Sequence, residues 1–209
     1  MSRITLGTLL LALLVLVGCS RGPQAIPKLK VDAQAATARA FELHDADGDG
    51  LLSPDELATA PGLQYAAERA DANGDENLDE AELTAMISAW NEKSIGLLTL
   101  RCLVTLNRRP LPDATVRLEP EAFLDGQVET AIGRTDEFGY AFLTVPKENR
   151  PIPDAPPGCQ LGLYRVVISK LVDDREKIPA RYNVETELGQ EVAFDDPGVM
   201  NGITYRLKK

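Results

Sequence analysis

A mixed α+β chain in two modules is the fold class this sequence predicts: a helical N-terminal module followed by an antiparallel β-sandwich. Three observations predict it. Apolar residues recur at helical spacing between Val31 and Lys93, and after Ser94 the texture changes to short alternating, β-branched runs. The charge changes at the same place. Residues 31–93 hold 15 acids against 3 bases, residues 94–209 hold 17 against 15, and the whole chain carries −10. An acidic segment beside a nearly neutral one fits two modules within 209 residues. It also argues against nucleic acid, which requires a basic stripe.

The N-terminus reads as an export signal rather than as fold. Met1-Ser2-Arg3 is a short basic start, and Ile4 to Val17 is an apolar run of 14 residues. A bilayer span needs about 20 residues, whereas a signal peptide needs fewer. The run ends in Leu16-Val17-Gly18-Cys19, which resembles the lipobox of bacterial lipoproteins. That resemblance implies a signal peptide over residues 1–18, lipidation at Cys19 and anchorage in the cell envelope. Ser20 stands where an inner-membrane retention signal would commonly show Asp, so the outer membrane is the expected destination. Ser20 to Lys30, with Pro23 and Pro27, reads as a tether.

In the helical module, Ala36, Ala40, Phe41 and Leu43 mark one apolar face, and Leu83, Met86, Ile87 and Trp90 mark another. Pro61-Gly62 divides the segment into two helix–loop–helix units. Each unit contains an acidic loop. The first places Asp45, Asp47 and Asp49 at alternate positions, then Gly50, Leu51, Ser53 and Glu56. Ca²⁺ takes six to eight oxygens at about 2.3–2.6 Å, and this spacing offers monodentate carboxylates, the Leu51 carbonyl, a hydroxyl or water at Ser53, and a bidentate Glu56. The second loop offers Asp71, Asn73, Asp75, Asn77, Asp79 and Glu82. Both resemble the EF-hand family. The second departs from it at the sixth position, where Glu76 replaces Gly, and is expected to bind more weakly. If that position must be left-handed, a residue with a Cβ costs about 1–2 kcal/mol there. Paired EF-hands join their loops through short strands, here Leu51–Ser53 beside Asn77–Asp79. Ser53-Pro-Asp-Glu56 is also a good helix start, but a capping box does not explain three alternating aspartates followed by Gly.

The second module reads as about seven strands, over Leu97–Leu106, Ala114–Leu118, Gln127–Arg134, Tyr140–Val145, Tyr164–Ser169, Glu191–Phe194 and Ile203–Leu207. Pro146 to Gly158, with five prolines, reads as a stiff connection without regular structure. Pro110-Leu-Pro-Asp-Ala114, Gly133-Arg-Thr-Asp-Glu-Phe-Gly139 and Gly162-Leu-Tyr-Arg-Val-Val-Ile168 resemble the carboxypeptidase-regulatory-like (transthyretin-like) domains. Ile178-Pro-Ala-Arg-Tyr182 and the ending Ile203-Thr-Tyr-Arg-Leu207 look like the planctomycete lipoproteins that carry this domain. The resemblance spans residues 95–209 and implies an Ig/transthyretin-like sandwich with a binding or structural role. Cys102 and Cys159 are a disulfide candidate in an exported chain, with two buried thiols as the alternative.

No catalytic constellation emerges. The chain has one histidine, His44, which is expected to be a solvated helix residue, and its six serines sit in no nucleophile elbow. Trp90 and Met86 read as core of the last helix. The sequence therefore points to a non-enzymatic, calcium-binding, lipid-anchored envelope protein. An envelope protein or polysaccharide is the expected partner of its β-module. Two other readings remain: a dockerin-like calcium-dependent docking module, and a hydrolase without a recognisable motif.

Overall fold

The computed structural model describes residues 26–28, 30–93, 96–152 and 154–209. The stretch expected to be a signal peptide, Cys19 and most of the expected tether lie outside the described residues. The chain is mixed α+β. Helix α1 (Ala33–His44) begins at Asp32, whose side chain accepts from Ala35 N at 3.0 Å. Strand β1 (Leu51–Leu52) leads into the single turn α2 (Pro54–Leu57), and α3 (Pro61–Ala70) starts with Pro61 in its first turn. Strand β2 (Leu78–Asp79) precedes α4 (Glu80–Lys93). β1 and β2 pair antiparallel, Leu51 opposite Asp79 and Leu52 opposite Leu78, as the spacing of the two loops predicts.

The remainder forms two layers of sheet. Its strands are β3 (Leu100–Leu106), β4 (Arg109–Pro110), β5 (Thr115–Pro120), β6 (Ala131–Arg134), β7 (Tyr140–Leu143) and β8 (Gly162–Ser169). Then come the hairpin β9 (Leu171–Val172) and β10 (Arg175–Glu176), strand β11 (Gly189–Val192), the short helix α5 (Pro197–Asn201), and β12 (Ile203–Leu207). One sheet has the order β11-β8-β5-β6; the other has β12-β3-β4, with β7 also paired to β3. The expectation of a purely antiparallel sheet module is corrected by one pair, because β12 pairs with β3 in parallel, Ile203 opposite Cys102 through Leu207 opposite Leu106. The crossover that parallel pairing requires is long: β12 is the last strand and β3 the first of this layer.

The two halves expected from sequence share one apolar cluster. It runs from Leu52, Leu63, Leu83 and Ile87 in the helices to Leu118, Leu124, Leu163 and Tyr164 on the sheet side. α3 lies on β8 and β11 at backbone distance, which two glycines permit. A Cβ on Gly62 would meet Tyr164 N at 2.7 Å and Tyr164 O at 2.8 Å, and one on Gly189 would overlap the Pro61 carbonyl. Helix α3 thus covers part of one face of the sheet that holds β8 and β11. On α1 the predicted face is right for Ala36, Ala40 and Phe41, but Leu43 is 40% exposed.

Cys102 and Cys159 are both buried free thiols rather than a disulfide. Cys102 stands in β3 opposite Ala141, and the Cys159 thiol donates to Leu143 O at 3.2 Å. Burial raises the Cys102 thiol to about 12 and pushes Cys159 higher still, so both are inert at neutral pH.

Candidate metal-binding loops

Each acidic loop is built by its own backbone donating to its own side-chain oxygens. In the first, Asp45 Oδ1 accepts from Gly48 N at 2.7 Å and Oδ2 from Gly50 N at 3.1 Å. Asp47 Oδ1 accepts from Asp49 N at 3.2 Å, and Asp49 Oδ1 from Leu51 N at 2.8 Å. Glu56 closes the loop across its ends: Oε1 accepts from Ala46 N at 2.7 Å, and Oε2 accepts from Ser53 N at 2.9 Å and Ser53 Oγ at 2.8 Å. Those donors, Ser53's backbone first, pull the Glu56 carboxyl down to about 2. One carboxylate oxygen from each of Asp45, Asp47 and Asp49 comes within 4.8 Å of the others.

The second loop repeats this construction. Asp71 Oδ1 accepts from Gly74 N at 2.6 Å and Oδ2 from Glu76 N at 2.9 Å. Asn73 and Asp75 accept from Asp75 N and Asn77 N at 2.8 and 2.9 Å. Glu82 Oε1 takes Ala72 N at 2.9 Å and Asn73 N at 3.1 Å, and its Oε2 takes Asp79 N at 3.1 Å. The Gly74 N–H bond leads the causes that hold the Asp71 carboxyl below its ordinary value. Glu76 has φ +67° where Gly50 has +82°. The sixth position is left-handed in both loops, as expected, and the second loop reaches that geometry with its Cβ in place.

All twelve predicted positions therefore fall in two matched loops, six in each, with Leu51 and Asp79 facing each other across the strand pair. The donor groups are carboxylate, amide, hydroxyl and carbonyl oxygens, which suits a hard divalent cation and gives a thiophilic metal nothing to hold.

His44 departs from its expected solvated role. Its Nδ1 lies 2.7 Å from Thr59 Oγ1, which donates to Glu56 O at 2.7 Å, so Nδ1 is assigned the proton. The ring meets Phe123 edge-on at 6.3 Å between centroids, and desolvation lowers its pKa. His44 is a half-buried strut between the first loop and the sheet layer.

A second polar constellation joins the halves, and sequence reasoning missed it. Glu191 on β11 has a fully buried carboxylate that pairs with Arg69 of α3 and accepts from Trp90 Nε1 of α4 at 3.1 Å. Arg69 also reaches Asp195 at 3.1 Å, and Tyr65 donates to Asp196 at 3.2 Å. Burial raises the Glu191 pKa despite Arg69. Trp90 is thus core, as expected, and also an anchor to the sheet. At the other end of α3, Glu121 accepts from Gly62 N at 2.6 Å and is 2% exposed. The available sequence signal was weak: Glu191 stands between Gln190 and Val192, and Glu121 between Pro120 and Ala122.

No protein-family model, curated protein or solved structure matches this chain. Among the described residues no helix is long and apolar enough to cross a membrane.

Proposed function

We propose that this chain is a calcium-binding, lipid-anchored envelope protein whose helical half is an EF-hand pair. Its sheet half is a non-catalytic, transthyretin-like binding or structural module. One observation carries the calcium reading: two twelve-residue loops make matching backbone-to-side-chain hydrogen bonds at their first, third, fifth and twelfth positions and are joined by β1 and β2. Residues at loop positions 1, 3, 5, 7, 9 and 12 would hold each ion. The cation would offset the repulsion among carboxylates that the backbone N–H groups only partly relieve. Outside the cytoplasm calcium is abundant, so sites of roughly 10⁻⁴–10⁻³ M would stay filled. The anchor reading rests on Leu16 to Cys19. The non-catalytic reading rests on the single histidine and on serines that sit in no nucleophile elbow.

Calorimetric titration with Ca²⁺ tests the calcium reading. Two ions per chain are expected, Asp45→Ala and Asp71→Ala should each remove one, and binding should stabilise the fold by about 2.7 kcal/mol at a hundredfold excess over Kd. Absence of heat and of any melting shift up to about 10 mM Ca²⁺, well above the range of extracellular sites, would refute it.

A further inference from the structure

The outer face of the β12-β3-β7 layer differs in charge from the rest of this acidic chain. Arg101, Leu103 and Thr105 of β3 point away from the core, as do Tyr140 and Phe142 of β7 and Thr204 and Arg206 of β12. The register sets Arg101 beside Phe142, and Leu103 between Tyr140 and Thr204. None of these outward positions is Asp or Glu. An open cleft of about 950 Å³ continues the face, lined by Arg108, Arg206, Lys208 and Lys209, again without an Asp or Glu side chain. Phe142 is 65% exposed, Phe138 in the neighbouring turn 62%, and Arg101 lies 4.9 Å over the Tyr140 ring. In a chain of net charge −10, these cations and exposed aromatics are gathered on one side.

We propose that this face lies against an anionic phospholipid surface. Aromatic rings partition into the headgroup region, and Lys and Arg near it gain from the negative surface potential. Position favours lipid over a soluble polymer. The described chain begins at Ile26, packed where a Cβ on Gly96 would meet it at 2.6 Å, four residues before β3. From Cys19, the expected lipidation site, to Ile26 is seven residue steps, a reach of at most about 25 Å. An anchored N-terminus would hold the start of β3, where Arg101 and Phe142 lie, near the bilayer. This last step rests on the anchor reading; the charge and aromatic argument does not.

The test uses the full chain carrying Phe142→Cys labelled with an environment-sensitive fluorophore. It is mixed with vesicles of phosphatidylcholine alone or with about one-third phosphatidylglycerol, and vesicle sedimentation is read in parallel. The label should move to an apolar environment with anionic vesicles only, and return to water at about 0.5 M salt, where screening is nearly complete beyond ~4 Å. Arg206→Glu with Lys208→Glu should weaken the response at least about 25-fold, at about fivefold per cation. An unchanged melting curve for Phe142→Cys would confirm an intact fold. A chain that sediments with vesicles while the label stays in water keeps its anchor and overturns the proposal. A label that responds while high salt releases the chain supports the face and refutes the anchor. An equal response to neutral vesicles, or one to dextran sulfate but not to vesicles, overturns the lipid assignment.

Discussion

Glu121 allows a test of the docking between helices and sheet by pH alone. Its carboxyl is buried just past the end of β5, where it accepts the Gly62 N–H at the start of α3. Desolvation raises its pKa from 4.5 to about 7, against smaller lowering effects from the Gly62 N–H and the Arg165 charge. The folded pKa thus exceeds the unfolded one. The stability this group contributes is fully present below about pH 4.5 and is lost as pH rises through about 7. At 1.36 kcal/mol per pH unit, the loss amounts to about 3 kcal/mol.

Glu121→Gln removes the titration and keeps an oxygen to accept from Gly62. Urea unfolding of both proteins in saturating calcium should give stabilities that converge near pH 4.5 and separate toward pH 8. The variant should end about 3 kcal/mol more stable, equivalent to about 6–12 °C for a chain of this size. Glu121→Ala, which leaves the Gly62 N–H without its acceptor, should be destabilised at every pH. A flat difference between the Gln variant and the wild type across this range would refute the reasoning, because the carboxyl would then not be held neutral by burial.

Two further outcomes follow from particular backbone positions. Gly189→Ala forces a Cβ into the Pro61 carbonyl, and both partners are backbone; it should cost about 3 kcal/mol by overpacking, read as a melting temperature lower by about 6–12 °C. Glu76→Gly relieves about 1–2 kcal/mol of left-handed strain and adds about 0.4–1 kcal/mol of unfolded-chain entropy, so the metal-free protein should gain about 0.5–1 kcal/mol. Its calorimetric stoichiometry should stay at two calcium ions, because the wild-type loop already holds the required conformation; a change from one ion to two would make the second loop a structural partner only.

The loops were legible because everything that shapes them is local. Asp45 and Gly50, or Asp71 and Glu76, are five residues apart, and the hydrogen bonds between them follow from spacing. Even the strand pair β1–β2 was readable, since it follows from two copies of one motif. Most longer strands were readable from alternation, as in β3 and β12, where buried and outward positions alternate. The hairpin β9–β10 was missed although Asp173 and Asp174, at φ +51° and +57°, are the residue type a two-residue turn of this kind favours. Its strands are two residues long and exposed, so no hydrophobic pattern marked them. The parallel partnership of β12 and β3 was not legible, because a strand's alternation says which face is buried and nothing about its neighbour's direction. Nor was the Glu191 cluster, whose members Trp90 and Glu191 are 101 positions apart.

That cluster changes how the proposed calcium loops relate to the rest of the chain. α3 is fixed at its N-terminal end by Glu121 and near its C-terminal end by Arg69 to Glu191, and the residue that caps it is Asp71, the first position of the second loop. α4 begins two residues before Glu82, the last position of that loop, and carries Trp90 to the same Glu191. Both helices that flank the second loop are therefore held on one carboxylate of β11. A cation held by Asp71 and Glu82 would restrain the ends of the two helices whose other contacts set the docking. By linkage, docking would restrain the loop to the same extent. Among the described residues the first loop shows no such tie on its exit side: α2 is a single turn, and His44 and Phe123 supply its contact with the sheet layer from the α1 side. The two loops are alike in their internal hydrogen bonds and unlike in what they are attached to. The second, with the less favourable residue at its sixth position, is the one braced from both sides by the sheet.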